Sequence, residues 1–133
     1  MGGVMELLGI WKFKEMLFAD DDGIRTLGAE EIEAMPESEE TREMKQMLRC
    51  DFVIGAQALE AYYQPREEEK AIIEAEGWEI TEKGVLMESF PAKIEDGVLM
   101  LDYERTGENY LPVRQDEEGC LHIYDGMLKI EKA

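Results

Sequence analysis

From Gly84 to Lys132 the chain is punctuated by glycines at 84, 97, 107, 119 and 126, with short runs rich in Val, Leu, Ile, Tyr and Phe between them. Asp96-Gly97 and Asp125-Gly126 are hairpin signals, because Asp and Gly accept the positive φ of tight turns. Thr106-Gly107 and Glu118-Gly119 read as looser turns of the same kind. The spacings of 13, 10, 12 and 7 residues suit an antiparallel meander and leave no room for crossover helices.

The preceding part of the chain adds strands and interposes helices. Leu7 to Phe18 (LLGIWKFKEMLF) reads as a long strand, with Gly9, Trp11 and Phe13 on one face and Leu8, Ile10, Lys12 and Lys14 on the other. Asp20-Asp21-Asp22-Gly23 is a turn with solvated carboxylates. It does not fit a calcium-binding EF-hand loop, which needs an acid at Phe18 and a Glu at Ala29. A short second strand follows at Ile24 to Leu27. AEEIEAM (29–35) is helical in composition, with acids near its dipole-positive N-terminus, and Pro36 ends it. ESEETREMKQML (37–48) has Ser38 as N-cap. Thr41 stands where Glu is preferred, so a weak capping box is expected. Met44, Met47 and Leu48 form an apolar stripe, read as packing or, alternatively, as a ligand-gripping surface. CDFVI (50–54) and ALEAYY (58–63) read as a strand pair, REEEKAIIEAEG (66–77) as a charged helix, and Trp78 to Thr81 as a short strand.

The expectation is a mainly β, antiparallel up-and-down barrel of about eight to ten strands, closed to hide its edges, with two or three short helices in the N-terminal half. The whole of residues 1–133 is read as one domain. The chain carries 32 acidic and 14 basic residues, a net charge of −18. Such a surface repels phosphate backbones and anionic membranes, so neither nucleic acid nor a membrane is expected as a partner. A protein partner stays open, and the oligomeric state is not readable. The N-terminus has no basic leader, long apolar run or small-residue cleavage site, which gives the expectation of a soluble cytoplasmic protein. Cys50 and Cys120 belong to no CxxC pair and are expected as buried free thiols.

With a barrel argued, Leu8-Gly9-Ile10-Trp11 resembles the G-x-W signature on the first strand of lipocalins and their calycin relatives. The resemblance implies that Trp11 closes one end of the barrel under a basic residue near the last strand. Lys129 and Lys132 are available for that role. It also implies a small apolar or amphipathic ligand inside, for which the expected lining is Trp11, Phe13, Phe52, Tyr63, Met87, Leu99, Leu101, Tyr103, Tyr110 and Ile123.

No catalytic constellation, metal site or cofactor motif stands out. His122 is the sole histidine, so a multi-histidine metal site is excluded, and the residue reads as a hydrogen-bonded strand histidine before a catalytic base. Glu88, Asp102 and Glu104 read as solvent-facing if Leu99, Leu101 and Tyr103 point inward. In the opposite register Asp102 becomes an interior carboxylate with a raised pKa. Ligand carriage therefore leads. A filled barrel acting through its acidic surface as a structural or interaction domain comes second, and an enzyme third.

Overall fold

The computed structural model describes residues 7–124 and 126–133, except for the side chains of Asp20 and Glu40; residues 1–6 and Asp125 of the last Asp-Gly turn lie outside the described residues. The described chain forms ten strands and three helices. In order they are β1 (Gly9–Asp20), β2 (Gly23–Gly28), α1 (Ala29–Glu33), α2 (Glu39–Met47), β3 (Cys50–Ile54), β4 (Ala58–Tyr63), α3 (Glu67–Ala75), β5 (Val85–Glu95), β6 (Val98–Leu101), β7 (Leu111–Pro112), β8 (Arg114–Gln115), β9 (Leu121–Ile123) and β10 (Leu128–Lys132).

All strand pairings are antiparallel, and the sheet runs β7-β6-β5-β4-β3-β1-β10-β9-β8. Its two end strands, β7 and β8, are separated in sequence by Val113 alone. Residues 111–112 pair with β6 and residues 114–115 with β9, while the Val113 amide donates to the Leu99 carbonyl at 2.8 Å. One kinked segment thus bridges both edges and nearly closes the sheet into a barrel, an arrangement compatible with a calycin-like fold. Burying the edges in this way removes the unpaired backbone groups that an open sheet exposes.

The first strand serves three neighbours. Its first part pairs with β3, its second part with β2 on the same edge, and β10 runs along the other edge. Where β2 peels away, α1 and α2 lead back to β3. The second of these helices starts more firmly than expected. Ser38 Oγ accepts from the Thr41 amide at 3.2 Å and Thr41 Oγ1 accepts from the Ser38 amide at 2.8 Å, so a threonine hydroxyl completes the capping box in place of a carboxylate.

Inside, alternation sets the core. Phe52 and Ile54, Leu59 and Ala61, Leu99 and Leu101, Leu121 and Ile123, and Leu128 and Ile130 all face in and are buried. Asp96 and Gly97 adopt φ of 52° and 78°, as their turn requires. Trp78 to Thr81 does not form the expected strand; an isolated bridge between Thr81 and Gly84 is all that survives. Both edges of β4 are taken, by β3 and β5, and residues 78–80 find no other strand to pair with. That bridge turns on Gly84, at φ +117°, where an added Cβ would lie 2.6 Å from the Tyr63 carbonyl oxygen. Gly84→Ala is expected to cost more than about 2 kcal/mol, seen as a lowered urea midpoint at unchanged slope.

Candidate functional site

The two ends of the barrel differ. At one end Trp11 is 1% exposed, and its Nε1 donates to the Leu7 carbonyl at 2.9 Å. Lys132, directly opposite it on β10, lays its Nζ 5.4 Å above the indole ring and donates to the Leu8 carbonyl. Of the two lysines available, Lys132 therefore takes the place over the tryptophan, while Lys129 joins an ion cluster elsewhere. Gly9 makes room: it sits at φ +125°, and a Cβ there would come within 2.9 Å of the Lys132 Nζ.

The opposite end opens into a cavity of about 450 Å³, within the roughly 300–1,000 Å³ range of small-molecule sites. Its wall is built from Met16 on β1, Cys50 and Phe52 on β3, Ala61 on β4, Met87 and Glu88 on β5, and Tyr124, Met127 and Leu128 at the last turn. Helix α2 lies over the mouth and contributes Glu43, Gln46 and Met47, residues whose spacing places them on one helical face. A bulge sharpens the wall. Ala61 pairs with Glu88 but Tyr62 with Leu86, so Met87 has no partner in the ladder, and both Met87 and Glu88 reach the cavity. Four methionines, Met16, Met47, Met87 and Met127, supply much of the apolar surface. Their unbranched thioethers repack easily around ligands of different shape.

The polar groups of this mouth are few. Tyr124, held at φ 53°, donates its hydroxyl to the Glu88 carboxylate, and its amide donates to Tyr103 Oη at 2.8 Å. Burial, reinforced by the adjacent Glu88, raises the Tyr124 phenol well above its ordinary range, so it stays a neutral donor. The Cys50 thiol donates to the Gln46 carbonyl at 3.3 Å and is pushed up to about 11, first by burial and then by the charges of Asp51 and Glu88. It is a thiol near neutral pH rather than the thiolate that nucleophilic chemistry requires. Cys120 is likewise buried and free.

Of the residues expected to line a ligand site, Phe52 and Met87 reach the cavity. Trp11, Phe13, Leu99, Leu101 and Ile123 are packed into the core below it. Tyr63 is buried with its hydroxyl donating to Glu69 at 2.9 Å, and Tyr110 lies under the Lys93 ammonium, 4.5 Å from its ring. Tyr103 packs edge-on to Phe90 at 5.4 Å and beside Tyr124 at 5.8 Å, buttressing the wall from behind. Sequence reasoning missed the rest of the wall, Met16, Cys50, Ala61, Glu88, Tyr124, Met127 and Leu128, and the helix residues Glu43 and Gln46; the Met44–Met47 stripe was the available signal, with Met47 on the cavity and Met44 in the core.

The carboxylates sort differently from expectation. Asp102, just beyond β6, is fully buried even though Leu99 and Leu101 point inward, because the chain turns there and wraps the carboxylate. Burial acts to raise it, but the Gly107 and Glu104 amides and the Thr106 hydroxyl all donate to it, and the net shift is downward. It is an ionised loop clamp, not the raised interior acid that the inward register implied. His122 is held between two partners. Arg114 donates to Nδ1 at 3.1 Å, which leaves Nε2 to donate to Asp116 at 2.9 Å. That hydrogen bond, joined by the Cys120 and Glu118 amides and by Lys129, holds Asp116 far below the usual carboxylate range against the opposing effect of burial.

Comparison with protein-family models, with curated proteins and with solved structures returns no match. The site is thus defined by its own geometry. Among the described residues, no cluster of His, Cys, Asp and Glu is disposed to hold a metal ion, and no helix is long and apolar enough to cross a membrane.

Asp102 and Asp116 carry a pH dependence. Their folded pKa values lie below those of the unfolded chain, so their stabilisation is complete above about pH 5, begins to fall near the unfolded value of about 4 and is lost as pH falls through the folded values. Protonation also relieves repulsion among the surface acids, so a comparison of variants is the clean readout. The stability gap between the wild type and Asp116→Asn should be widest above about pH 5 and narrow steadily below about pH 4 in urea titrations.

Proposed function

We propose that this chain is a lipocalin-like barrel that carries one small apolar or amphipathic molecule in its open mouth. The observation that carries the reading is the cavity of about 450 Å³, walled by Met16, Met47, Met87, Met127, Phe52 and Leu128, at the end opposite the Trp11–Lys132 seal. A ligand there gains by leaving water, at roughly 25 cal/mol for each Å² of apolar surface removed. The closed end and filled lower core restrict entry to the side beneath α2. Titration with a neutral fluorescent probe such as Nile red tests the reading: saturable, one-to-one enhancement is expected. Absence of binding across a panel of neutral hydrophobic probes, together with no co-purifying molecule in native mass spectra, overturns it.

A second reading, a protein-interaction domain, is favoured by α3. None of its residues is buried, and Ile72 and the following Trp78 stand 62% and 49% exposed among Glu67, Glu68, Glu74, Glu76 and Glu79. A basic partner segment with apolar side chains suits that surface. Binding of such a partner is expected to be lost in Trp78→Ser and kept when the cavity is blocked, which separates the two readings.

A further inference from the structure

The charge of the mouth selects among amphiphiles. Glu43 and Glu88 are the charged side chains among the described residues lining the cavity, and no lysine or arginine accompanies them there. Four basic residues adjoin lining residues in sequence, Arg42, Lys45, Arg49 and Lys129, and none of them lines the cavity. Lys45 donates to the Met35 carbonyl at 2.8 Å, and Arg49 donates through Nε to the Gln64 carbonyl at 3.0 Å. Lys45 stands off the helical face on which Glu43, Gln46 and Met47 sit, Arg49 lies beyond the end of α2, and Lys129 pairs with Glu15 and Asp116. Tyr124 cannot greet an anion either, since its hydroxyl is already given to Glu88. An anionic head entering this mouth meets two carboxylates and no cation among the residues that line it, under the field of a chain of net charge −18.

We infer that the ligand is cationic: an apolar body seated among the methionines, with a protonated amine or quaternary ammonium head at the rim between Glu88 and Glu43. This rests on the cavity being a ligand site, as proposed above, and adds the charge of the ligand and the residues that read it. Glu88 adjoins the bulged Met87 of β5, and its backbone is fixed by pairing with Ala61. Its hydrogen bond to Tyr124 fixes the carboxylate through one oxygen, Oε2. Glu43 approaches from the helix lid. A head group between them is paired from two elements, so binding also ties α2 to the barrel wall.

Isothermal titration with three probes of one chain length, decyltrimethylammonium, decanol and decyl sulfate, each below its micellar concentration, tests the assignment. The cation is expected to bind at least about tenfold more tightly than the anion at moderate salt, with decanol between them. In Glu43→Gln/Glu88→Gln that ratio should fall to about twofold while the decanol affinity is unchanged, and Glu68→Gln on the remote α3 should leave all three values alone. If decanol binds and the cation shows no advantage over the anion, the charge assignment is overturned while the cavity reading stands. If the advantage persists undiminished in the double variant, it belongs to the whole acidic surface and not to these residues. If none of the three binds, the cavity reading itself fails.

Discussion

Trp11→Ala is expected to lower the stability of the barrel by about 3–5 kcal/mol, the usual cost of emptying a buried tryptophan site. For a chain of 133 residues that corresponds to a fall in melting temperature of about 10–20 °C. The size of the effect follows from what the indole does. It is buried beneath Lys132 and packs into the same core as Phe13, Phe52 and Ile130, and its Nε1 donates to the Leu7 carbonyl. Removal leaves a void at the end of the barrel that backbone hydrogen bonding prevents from collapsing, since β1 is paired with both β3 and β10 there. Trp11→Phe separates the contributions: it keeps most of the burial and loses the hydrogen bond and part of the cation–π attraction, so a cost nearer about 1–2 kcal/mol is expected, well under half that of the alanine variant. Lys132→Met keeps the apolar stem and removes only the charge, for about 0.5–2 kcal/mol. A cost below about 1 kcal/mol for Trp11→Ala would show that the seal contributes little and that the end is held by the sheet alone.

The same residues show how far the sequence carries and where it stops. Gly9-x-Trp11 and the Asp96-Gly97 turn are local signals, a required φ or a required vacancy, and the structure places them as expected. The strand pair at 50–54 and 58–63 was legible because only Gly55 to Gln57 separate two β-rich runs; burial alternates through β3, whereas Ala61, Tyr62 and Tyr63 are all buried in β4. Trp78 to Thr81 failed because strand propensity counts for little without a partner strand, and pairing is a property of the whole sheet. Asp102 failed for a related reason: alternation assigns faces only while the strand lasts, and the chain leaves β6 at Leu101.

The cavity lay further still from the sequence. It exists because α2 crosses the mouth and a bulge lets both Met87 and Glu88 line it, and neither follows from periodicity. Residues that look like a ligand wall by composition, such as Leu99, Leu101 and Ile123, are instead the filling below it. In a small barrel the interior positions are indistinguishable in sequence, and only the side-chain volume at each level decides which remain open.

Ala61 offers the sharpest functional consequence of that distinction. It is a buried, small residue on β4 that lines the cavity, paired with Phe52 on one side and Glu88 on the other. Ala61→Phe places an aromatic ring in the space where the ligand is proposed to lie. The affinity for a neutral probe is expected to drop at least tenfold, about 1.4 kcal/mol or more. Stability should move in the opposite direction or hardly at all, because filling a pre-existing space commonly adds about 0.5–2 kcal/mol. This combination is what separates a cavity from a core. A phenylalanine forced into packed interior costs about 1–3 kcal/mol through displaced rotamers, so a destabilised Ala61→Phe would mean that the mouth is closed in solution. Ala61→Leu, a smaller intrusion, should give an intermediate loss of affinity and serves where the phenylalanine variant folds poorly. Isothermal titration and urea denaturation of the same samples decide the matter: lost binding with retained stability supports a carrier whose site is the methionine-lined mouth, and unchanged binding with retained stability moves the ligand out of this cavity altogether.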